Sequence, residues 1–341
     1  MPSSPNPDRN SAAAYDSIAV VGAGAWGTAL AIAAAGNASK VLLWAREAEV
    51  VESIRGAHEN RMFLPGVRLP EGIEATGELS QAGQAEAVLL VTPAQHLRTT
   101  LAAMRGSMRP GTPVVICAKG IETGSGLLVN EVLDEVLADA EPAILSGPSF
   151  ARDVARGLPT AVTIAAREST AVRLQASLGQ AWFRPYVSED VRGVALGGAA
   201  KNVYAIACGM VDGAGFGESA RAAVISRGFA ELLRLGSTLG ARSETLMGLS
   251  GLGDLVLTAT SMSSRNFSLG VALGKGVRLE DASGPGRPLA EGAATAPALV
   301  ARASRHGVEL PIAEAVADVL AGRIQVREAA ERLLARPLKS E

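Results

Sequence analysis

A single charged residue stands in an apolar stretch of the second half of the chain. Apart from Lys201 and Asn202, residues 194–210 carry no charged or amide side chain. A helix that is apolar on all sides is expected to be buried, and burial lowers the pKa of a lysine toward neutrality. Lys201 therefore suits a proton donor or acceptor, although a lysine can also reach the surface along its aliphatic stem. Gly197 and Gly198, one turn earlier, predict an uncovered helix face that a ligand can approach.

A second group of polar residues lies farther along the chain. Asp254 follows the glycine cluster 248–253, and Ser264, Arg265 and Asn266 come soon after it. An arginine between a hydroxyl and an amide can bind a phosphate group or stabilise an oxyanion. Ser264 equally suits the N-cap of a helix, where its side chain accepts a backbone hydrogen bond. Because no strand precedes the glycine cluster, it predicts a tight loop between helices and no second nucleotide site.

A glycine motif near the start of the chain has the spacing of a dinucleotide-binding turn. Gly22, Gly24 and Gly27 follow an apolar segment of strand length and open an alanine-rich helical segment. In such a turn the first glycine allows the sharp bend, the second leaves room for a pyrophosphate, and the third lets helix and strand pack closely. Free N–H groups at the helix start then meet the phosphates. The motif predicts a dinucleotide site, with a purely structural glycine turn as the alternative.

The choice between NAD(H) and NADP(H) is expected at the end of the second strand, about 20 residues after the glycine motif. Arg46 and Glu47 are adjacent there. An acidic residue bonds the ribose 2′-hydroxyl of NAD, whereas an arginine pairs with the 2′-phosphate of NADP. Because Arg46 holds the more suitable position, NADP(H) is slightly favoured over NAD(H). An ordinary surface charge at Arg46 is the alternative.

The elements that must position these residues follow from the apolar pattern. In the first half, short and continuously apolar runs alternate with helical segments, which predicts a parallel sheet buried on both faces in a doubly wound α/β domain. The runs cover residues 17–21, 40–44, 87–91, 113–117, 142–145, 161–164 and 182–187, with helices at 25–35, 95–104 and 127–137. After about Val191 the strand pattern stops, and helices are predicted over 194–210, 220–239, 290–305 and 311–320. We therefore expect a disordered tail over residues 1–15, a Rossmann-type dinucleotide-binding domain over 16–191 and an all-α domain over 192–337.

Three further residues follow predicted strands. Lys119 comes just after the strand that ends at residue 117, and Gly147 and Ser149 come after the strand that ends at residue 145. Open α/β sheets bind their ligands just beyond the carboxyl ends of their strands. All three residues are therefore candidates for contact with a ligand.

Composition narrows the class of protein. The 341 residues carry 32 Lys and Arg against 34 Asp and Glu, so a net charge of −2 leaves no basic field for nucleic acid or an anionic membrane. Cys117 and Cys208 are far apart and the histidines are scattered, which disfavours a disulfide framework and a metal site. No apolar run approaches the ~20 residues that a membrane span needs. We therefore expect a cytoplasmic protein without a nucleic-acid partner.

Six motifs, in order along the chain, resemble the bacterial NAD(P)-dependent glycerol-3-phosphate dehydrogenase family. They are GAGAWGTAL from Gly22, AKG from Ala118, SGPSFA from Ser146, LGGAAKN from Leu196, GLGDLVLT from Gly251 and SRN from Ser264. The resemblance runs from about Ser17 to Leu334. It implies reversible reduction of dihydroxyacetone phosphate to sn-glycerol 3-phosphate, the entry point to glycerophospholipid synthesis, with NAD(P)H as cofactor.

The resemblance also implies roles for individual residues. Lys201 would be the catalytic acid–base, Asp254 would orient it or balance its charge, and Arg265 would hold the substrate phosphate. The residues implied to contact the substrate are Lys119, Gly147, Ser149, Lys201, Asp254, Ser264, Arg265 and Asn266. Those implied to contact the nucleotide are Gly22, Gly24, Ala25, Trp26, Gly27, Arg46, Lys119, Ala151, Arg265, Leu289 and Glu291. The resemblance implies no metal, and it implies a small phosphorylated substrate and a homodimer.

Two other functions fit part of this pattern. A β-hydroxyacid or phosphogluconate-type dehydrogenase shares the domain plan and a catalytic lysine, but the Gly-Leu-Gly-Asp and Ser-Arg-Asn elements favour a phosphotriose substrate. A non-catalytic dinucleotide sensor would have no need of Lys201 and Asn202 inside an apolar helix. A dehydrogenase is therefore the favoured hypothesis.

Overall fold

The computed structural model describes residues 13–283 and 290–337. The chain forms two compact units. Among the described residues, unit 1 contains those up to Ala118 together with Asn130–Val191, and unit 2 contains Lys119–Val129 together with those from Arg192 onward. The sequence pattern had placed residues 119–129 in the first domain. They join unit 2 because Ile121 and Leu128 pair in an antiparallel bridge and are fully buried in its apolar core.

Unit 1 is built on one eight-stranded sheet with the strand order β3-β2-β1-β4-β5-β6-β7-β8. The strands are β1 Ser17–Val21, β2 Lys40–Trp44, β3 Ile73–Thr76, β4 Ala87–Leu90, β5 Pro113–Ile116, β6 Glu141–Ser146, β7 Thr160–Ala165 and β8 Phe183–Ser188. Neighbouring strands are parallel except β6 and β7, which are antiparallel. Every residue of β4 and β5 is buried, as the continuous apolar runs predicted. The doubly wound α/β fold is confirmed, with β3 added to the predicted strands.

Seven helices accompany the sheet in the described chain. They are α1 Ala25–Ala34, α2 Ala48–Ala57, α3 Leu79–Ala82, α4 Leu97–Met104, α5 Val129–Val136, α6 Ala151–Ala155 and α7 Glu168–Leu178. Seven of the ten residues of α1 are buried, because its small alanine side chains let the helix lie close to its neighbours. The core of unit 1 combines these helix faces with the sheet.

Unit 2 contains helices and no strand among its described residues. The helices are α8 Val191–Gly213, α9 Glu218–Thr238, α10 Ser243–Met247, α11 Asp254–Ala259, α12 Arg265–Gly274, α13 Leu279–Ser283, α14 Glu291–Arg305, α15 Pro311–Leu320 and α16 Val326–Leu334. A π-helical turn, Leu249–Gly253, joins α10 to α11, so the glycine cluster is an interhelix connection as predicted. The all-α character of the second part is confirmed.

The longest helix corrects one expectation about membranes. Among the described residues, α8 alone is long and apolar enough to cross a membrane by length and composition, whereas the sequence pattern had suggested no such run. Its most apolar window is 94% buried inside the protein. The core helix of a globular unit passes the same test, and burial of this extent identifies α8 as one.

Tyr15, the last residue of the expected tail, is packed against unit 1. Tyr15 is 4% exposed, its backbone N–H donates to Ser177 Oγ at 2.8 Å, and the Arg173 guanidinium lies 3.9 Å from its ring centroid. This aromatic anchor fixes the chain just before β1. Residues 1–12 of the expected tail lie outside the described residues.

Candidate active site and nucleotide-binding turn

Lys201 lies in the interior of unit 2, on α8. The residue is 6% exposed. Its Nζ donates to Thr258 Oγ1 at 2.7 Å and forms an ion pair with Asp254 Oδ1 at 3.1 Å. The lysine is therefore buried, as the apolar pattern predicted, and does not reach the surface.

Asp254 joins two lysines from distant parts of the sequence. It begins α11 and is 2% exposed. Its Oδ2 accepts a hydrogen bond from Lys119 Nζ at 2.6 Å, while its Oδ1 faces Lys201. Thr258, one turn later on α11, donates to Asp254 Oδ1 at 3.2 Å. We call Lys119, Lys201, Asp254 and Thr258 the lysine cluster.

The electrostatics of the lysine cluster suit proton transfer. Burial lowers the pKa of Lys201 to about 8, against the attraction of Asp254 and with the help of the nearby Lys119 charge. Burial disfavours the charged form of Asp254, but the two ammonium groups outweigh burial and hold the pKa of Asp254 below its ordinary value. At neutral pH Asp254 is therefore a carboxylate, and Lys201 is an ammonium group that gives up its proton more readily than an ordinary lysine.

A chain of amide hydrogen bonds fixes the backbone that carries Lys119. Asn202 Nδ2 donates to the Lys119 carbonyl oxygen at 3.1 Å, and Asn202 Oδ1 accepts from Asn266 Nδ2 at 2.8 Å. Asn266 Oδ1 in turn accepts from the Gly292 N–H at 2.9 Å. A Cβ on Gly292 would lie 2.7 Å from the Asn202 carbonyl oxygen, so only glycine allows this approach. The amide chain thus connects α8, α12 and the start of α14 to Lys119.

Sequence reasoning assigned no site role to Asn202 or Thr258. Both lie within the six motifs, and both carried a usable signal. Asn202 is the amide residue beside Lys201 in the apolar residues 194–210, and Thr258 is four residues after Asp254 on one helix face. The structure brings both into direct contact with predicted site residues.

Gly197 does not serve the purpose expected for it. A Cβ at Gly197 would lie 3.0 Å from the Ser250 carbonyl oxygen and 3.2 Å from Gly251 Cα. The missing side chain therefore admits the backbone of the π-helical turn against α8, and it does not leave that face open to a ligand. Gly198 is buried as well. Asp254 directly follows the π-helical turn, so the close packing of that turn against α8 brings Asp254 beside Lys201.

The Ser264-Arg265-Asn266 motif forms the start of α12. Ser264 is its N-cap and accepts from the Phe267 N–H at 3.2 Å, which confirms the N-cap interpretation. Arg265 is exposed, and its side chain makes no hydrogen bond or ion pair with the described residues. Glu291 begins α14, next to Gly292 of the amide chain. Leu289 lies outside the described residues.

The glycine-rich turn of unit 1 has the geometry that a dinucleotide requires. Gly22 has a φ of +113°, a conformation that favours glycine. A Cβ on Gly27 would lie 1.8 Å from the Gly22 carbonyl oxygen, whereas a Cβ on Gly24 would meet nothing within 4 Å. The first and third glycines therefore form the turn and its packing, and the second leaves open space.

Two orphaned polar groups at this turn fit a bound nucleotide. The Gly24 N–H has no hydrogen-bond partner among the described residues. The indole Nε1 of Trp26, in the first turn of α1, is buried and also lacks a partner there. Unpaired N–H groups at a helix start attract phosphate oxygens. Ala25, the first residue of α1, lies between them in sequence, so the residues present fit NAD(P)(H).

The other predicted contacts of unit 1 lie at strand ends. Arg46 follows β2, is 79% exposed at its side chain, and forms an ion pair with Glu47 Oε1 at 2.7 Å. After β6, Gly147 has a φ of +147° and a Cβ there would lie 2.8 Å from Val162 Cα. Ser149 Oγ donates to the Gly147 carbonyl oxygen at 3.1 Å, and Ala151 begins α6. In the described chain no group of three His, Cys, Asp or Glu side chains could hold a metal ion.

Both parts of the chain match models of one protein family. The family model described as NAD-dependent glycerol-3-phosphate dehydrogenase N-terminus matches residues 17–172, and the corresponding C-terminus model matches residues 190–331. The chain belongs to the NAD(P)-dependent glycerol-3-phosphate dehydrogenase family. Glycerol-3-phosphate dehydrogenase (NAD(P)+) of Parvibaculum lavamentivorans is 56% identical over 329 residues, covering 96% of this chain and 99% of the relative. The Rhodospirillum rubrum enzyme of the same name is 56% identical over 328 residues, covering 96% and 94%.

A solved structure agrees with the assignment to this glycerol-3-phosphate dehydrogenase family. The crystal structure of glycerol-3-phosphate dehydrogenase from Coxiella burnetii superposes with a TM-score of 0.89 at 37% identity, covering 94% of this chain and 99% of that chain. The family resemblance, the oxidoreductase class and the use of NAD(H) or NADP(H) are thereby confirmed. The β-hydroxyacid or phosphogluconate-type alternative is not favoured, because both family models and the similar relatives are glycerol-3-phosphate dehydrogenases.

Proposed function

We propose that this chain catalyses the reversible, NAD(P)-dependent reduction of dihydroxyacetone phosphate to sn-glycerol 3-phosphate, with Lys201 as the acid–base. The observation that carries the proposal is the buried lysine cluster, in which Lys201 Nζ lies 3.1 Å from Asp254 Oδ1 and has a pKa of about 8. A group with a pKa near the working pH can both give and take a proton. That property is what a reversible ketone–alcohol conversion needs.

Each residue of the lysine cluster has a separate role in the proposed reaction. When bound, NAD(P)H supplies the hydride. Lys201 Nζ donates a proton to the carbonyl oxygen of the substrate during reduction and accepts it back during oxidation. Asp254 keeps Lys201 protonated near neutral pH and holds Lys119 at 2.6 Å. Thr258 accepts a hydrogen bond from Lys201 and fixes the direction of the Nζ group.

We assign the substrate phosphate to the start of α12. Arg265 is an exposed guanidinium without a protein partner among the described residues, and such a group binds phosphate oxygens in pairs. The Ser264 hydroxyl can still donate while it caps α12, and Asn266 follows Arg265 directly. Lys119, Gly147 and Ser149 complete the proposed substrate contacts. Phosphate binding would hold the carbonyl group in place for reaction.

We assign the nucleotide to the glycine-rich turn and the strand ends near it in sequence. Gly22, Gly24 and Gly27 shape the turn, and Ala25 and Trp26 provide the first helical residues. The further proposed contacts are Arg46, Lys119, Ala151, Arg265, Leu289 and Glu291. Arg46 would pair with a 2′-phosphate, which is why NADP(H) is the preferred form in this proposal.

The two cysteines bear on the cellular compartment in which the enzyme works. Cys117 and Cys208 are buried thiols outside any disulfide, as in a reducing compartment. We propose a cytoplasmic enzyme of glycerophospholipid synthesis that acts as a homodimer and has no nucleic-acid partner.

Initial-rate assays test this function. The purified chain should oxidise NADPH, and more slowly NADH, when dihydroxyacetone phosphate is present. The same preparation should show no reduction of NADP+ or NAD+ with 3-hydroxyisobutyrate, the substrate class of the related dehydrogenases. Turnover of 3-hydroxyisobutyrate without turnover of dihydroxyacetone phosphate would overturn the proposal.

A further inference from the structure

We propose that Asn60 is a positioning residue for the nucleotide, acting through the Ala23 carbonyl of the glycine-rich turn. This inference rests on the proposed function, since it concerns how the turn binds NAD(P)(H). Asn60 lies outside the glycine motif, in the loop between α2 and β3, and it is fully buried. A buried amide side chain requires hydrogen-bond partners, and those of Asn60 lie in the turn and the first helix.

The side-chain amide of Asn60 uses both of its protons on this part of unit 1. Nδ2 donates to the Ala23 carbonyl oxygen at 2.7 Å and to Thr28 Oγ1 at 2.8 Å. Thr28, fully buried on α1, donates from Oγ1 to the same Ala23 oxygen at 3.4 Å. Ala23, Thr28 and Asn60 therefore form a closed hydrogen-bonded triangle, which we call the turn lock.

The loop that carries Asn60 is itself well fixed. Asn60 Oδ1 accepts from the Phe63 N–H at 3.1 Å, and the Leu69 N–H donates to the His58 carbonyl oxygen at 2.7 Å across the base of the loop. Ser53 Oγ on α2 donates to the Glu59 carbonyl oxygen at 2.7 Å. Asn60 is thus presented to the turn by a closed loop, and its side chain has little freedom to turn away.

The turn lock determines where the first amide donor of the nucleotide site points. In a trans peptide the carbonyl of one residue and the N–H of the next point in opposite directions, and the described chain contains no cis peptide bond. Holding the Ala23 oxygen against Asn60 and Thr28 therefore directs the Gly24 N–H to the opposite side. That N–H has no partner among the described residues, and Gly24 is the glycine with open space around it.

Loss of the turn lock would weaken nucleotide binding even though none of its side chains is proposed to contact the nucleotide. Without Asn60, the buried Ala23 oxygen would lose its shorter hydrogen bond. Because a buried carbonyl oxygen without a donor is unfavourable, the peptide would tend to rotate so that this oxygen faces solvent. A rotated peptide would present a carbonyl oxygen to the pyrophosphate in place of an N–H. Glycine spacing alone therefore does not fix the turn, because Gly24 permits both peptide orientations.

Neutral, nearly isosteric variants provide the test. Asn60→Leu and Thr28→Val each remove part of the turn lock without adding charge, Thr28→Ser keeps the hydroxyl, and Ser53→Ala loosens the base of the loop only. NADPH affinity is measured by the rise in nicotinamide fluorescence on binding, and folding by thermal unfolding of the free chain. Initial rates give KM for each substrate and kcat at saturating NADPH.

We expect Asn60→Leu and Thr28→Val to raise the Kd and KM for NADPH roughly ten- to hundredfold, the loss expected for one buried hydrogen bond to a ligand-binding group. KM for dihydroxyacetone phosphate and kcat at saturating NADPH should stay within about twofold. Thr28→Ser should restore most of the affinity lost in Thr28→Val. Ser53→Ala should bind NADPH within about twofold of the wild type, because the Phe63 and Leu69 backbone hydrogen bonds still hold the loop and Asn60 in place. If Asn60→Leu does not fold, the comparison of NADPH affinity between Thr28→Val and Thr28→Ser tests the inference.

Folded Asn60→Leu and Thr28→Val proteins that bind NADPH with the wild-type Kd would overturn this inference alone. An equal loss of affinity in Ser53→Ala would also overturn it, because general loosening of the loop would then suffice. A wild-type chain that binds neither NADPH nor NADH would overturn the proposed function, and this inference with it. The wild-type measurement therefore separates the two failures.

Discussion

Replacement of Asp254 by Asn tests the electrostatic basis of the proposed mechanism. The amide keeps the shape of the carboxylate but removes a charge that lies 2.6 Å from Lys119 Nζ and 3.1 Å from Lys201 Nζ. At an effective dielectric constant of about 20, a unit ion pair at that second distance interacts with roughly 5 kcal/mol. Because solvent and protein relax around the lost charge, the measured fall in the pKa of Lys201 should be about 1–3 units.

The sign of the effect on catalysis follows from which form of Lys201 donates the proton. Reduction requires the ammonium form, so activity falls as pH rises through the pKa of Lys201, which is about 8 in the wild-type protein. In Asp254→Asn the fall should occur about 1–3 units lower. The variant should therefore lose roughly two- to hundredfold in kcat/KM near neutral pH and regain part of it in acid.

The assay is kcat/KM for dihydroxyacetone phosphate at saturating NADPH, followed by nicotinamide absorbance between about pH 5 and pH 9. Asp281→Asn is the matched control, since Asp281 pairs with Arg278 on the surface and lies outside the cluster. Its profile should match that of the wild-type enzyme. An Asp254→Asn enzyme whose activity still falls near pH 8 would refute the view that Asp254 sets the pKa of Lys201.

Four further variants test Lys201, the adjacent pair Arg46 and Glu47, and Glu231. Lys201→Met should lower kcat/KM by several orders of magnitude in initial-rate assays while NADPH still binds; near wild-type activity would contradict the acid–base role. Arg46→Ala should weaken NADPH much more than NADH in fluorescence titrations, and Glu47→Ala, which frees Arg46 from its ion pair, should not weaken NADPH. Burial raises the pKa of Glu231 from 4.5 to about 7, so its contribution to stability is full below about pH 4.5 and is lost as pH rises to about 7. Glu231→Gln should flatten that decline in thermal-unfolding curves.

Most of the fold could be predicted because the buried strands consist of continuous runs of apolar residues. The strand that was missed, β3, shows the limit of that signal. It has four residues, includes the exposed Glu74, and lies at the edge of the sheet beside β2. An edge strand has only one partner and can expose one face, so no continuous apolar run is required of it.

The candidate site could be predicted only in part. Burial of Lys201 follows from the apolar helix around it, and the N-cap role of Ser264 follows from its residue type. The contact between Lys119 and Asp254 joins residues 135 positions apart, and no local spacing encodes such a pair. Gly197 shows the opposite problem, since a missing side chain can admit either a ligand or a neighbouring backbone. Only the fold shows that it admits the π-helical turn.

The charge count of the lysine cluster explains why a phosphorylated substrate suits it. The chain as a whole carries a net charge of −2, yet the cluster places two lysines around one buried carboxylate. Protonation of both lysines leaves one positive charge uncompensated in a region of low dielectric constant, which is why burial lowers the pKa of Lys201. An anionic substrate bound near the cluster would supply the missing negative charge and raise that pKa again. Lys201 should then be protonated more fully in the substrate complex than in the free enzyme, so that its proton becomes available when a carbonyl group is present to receive it.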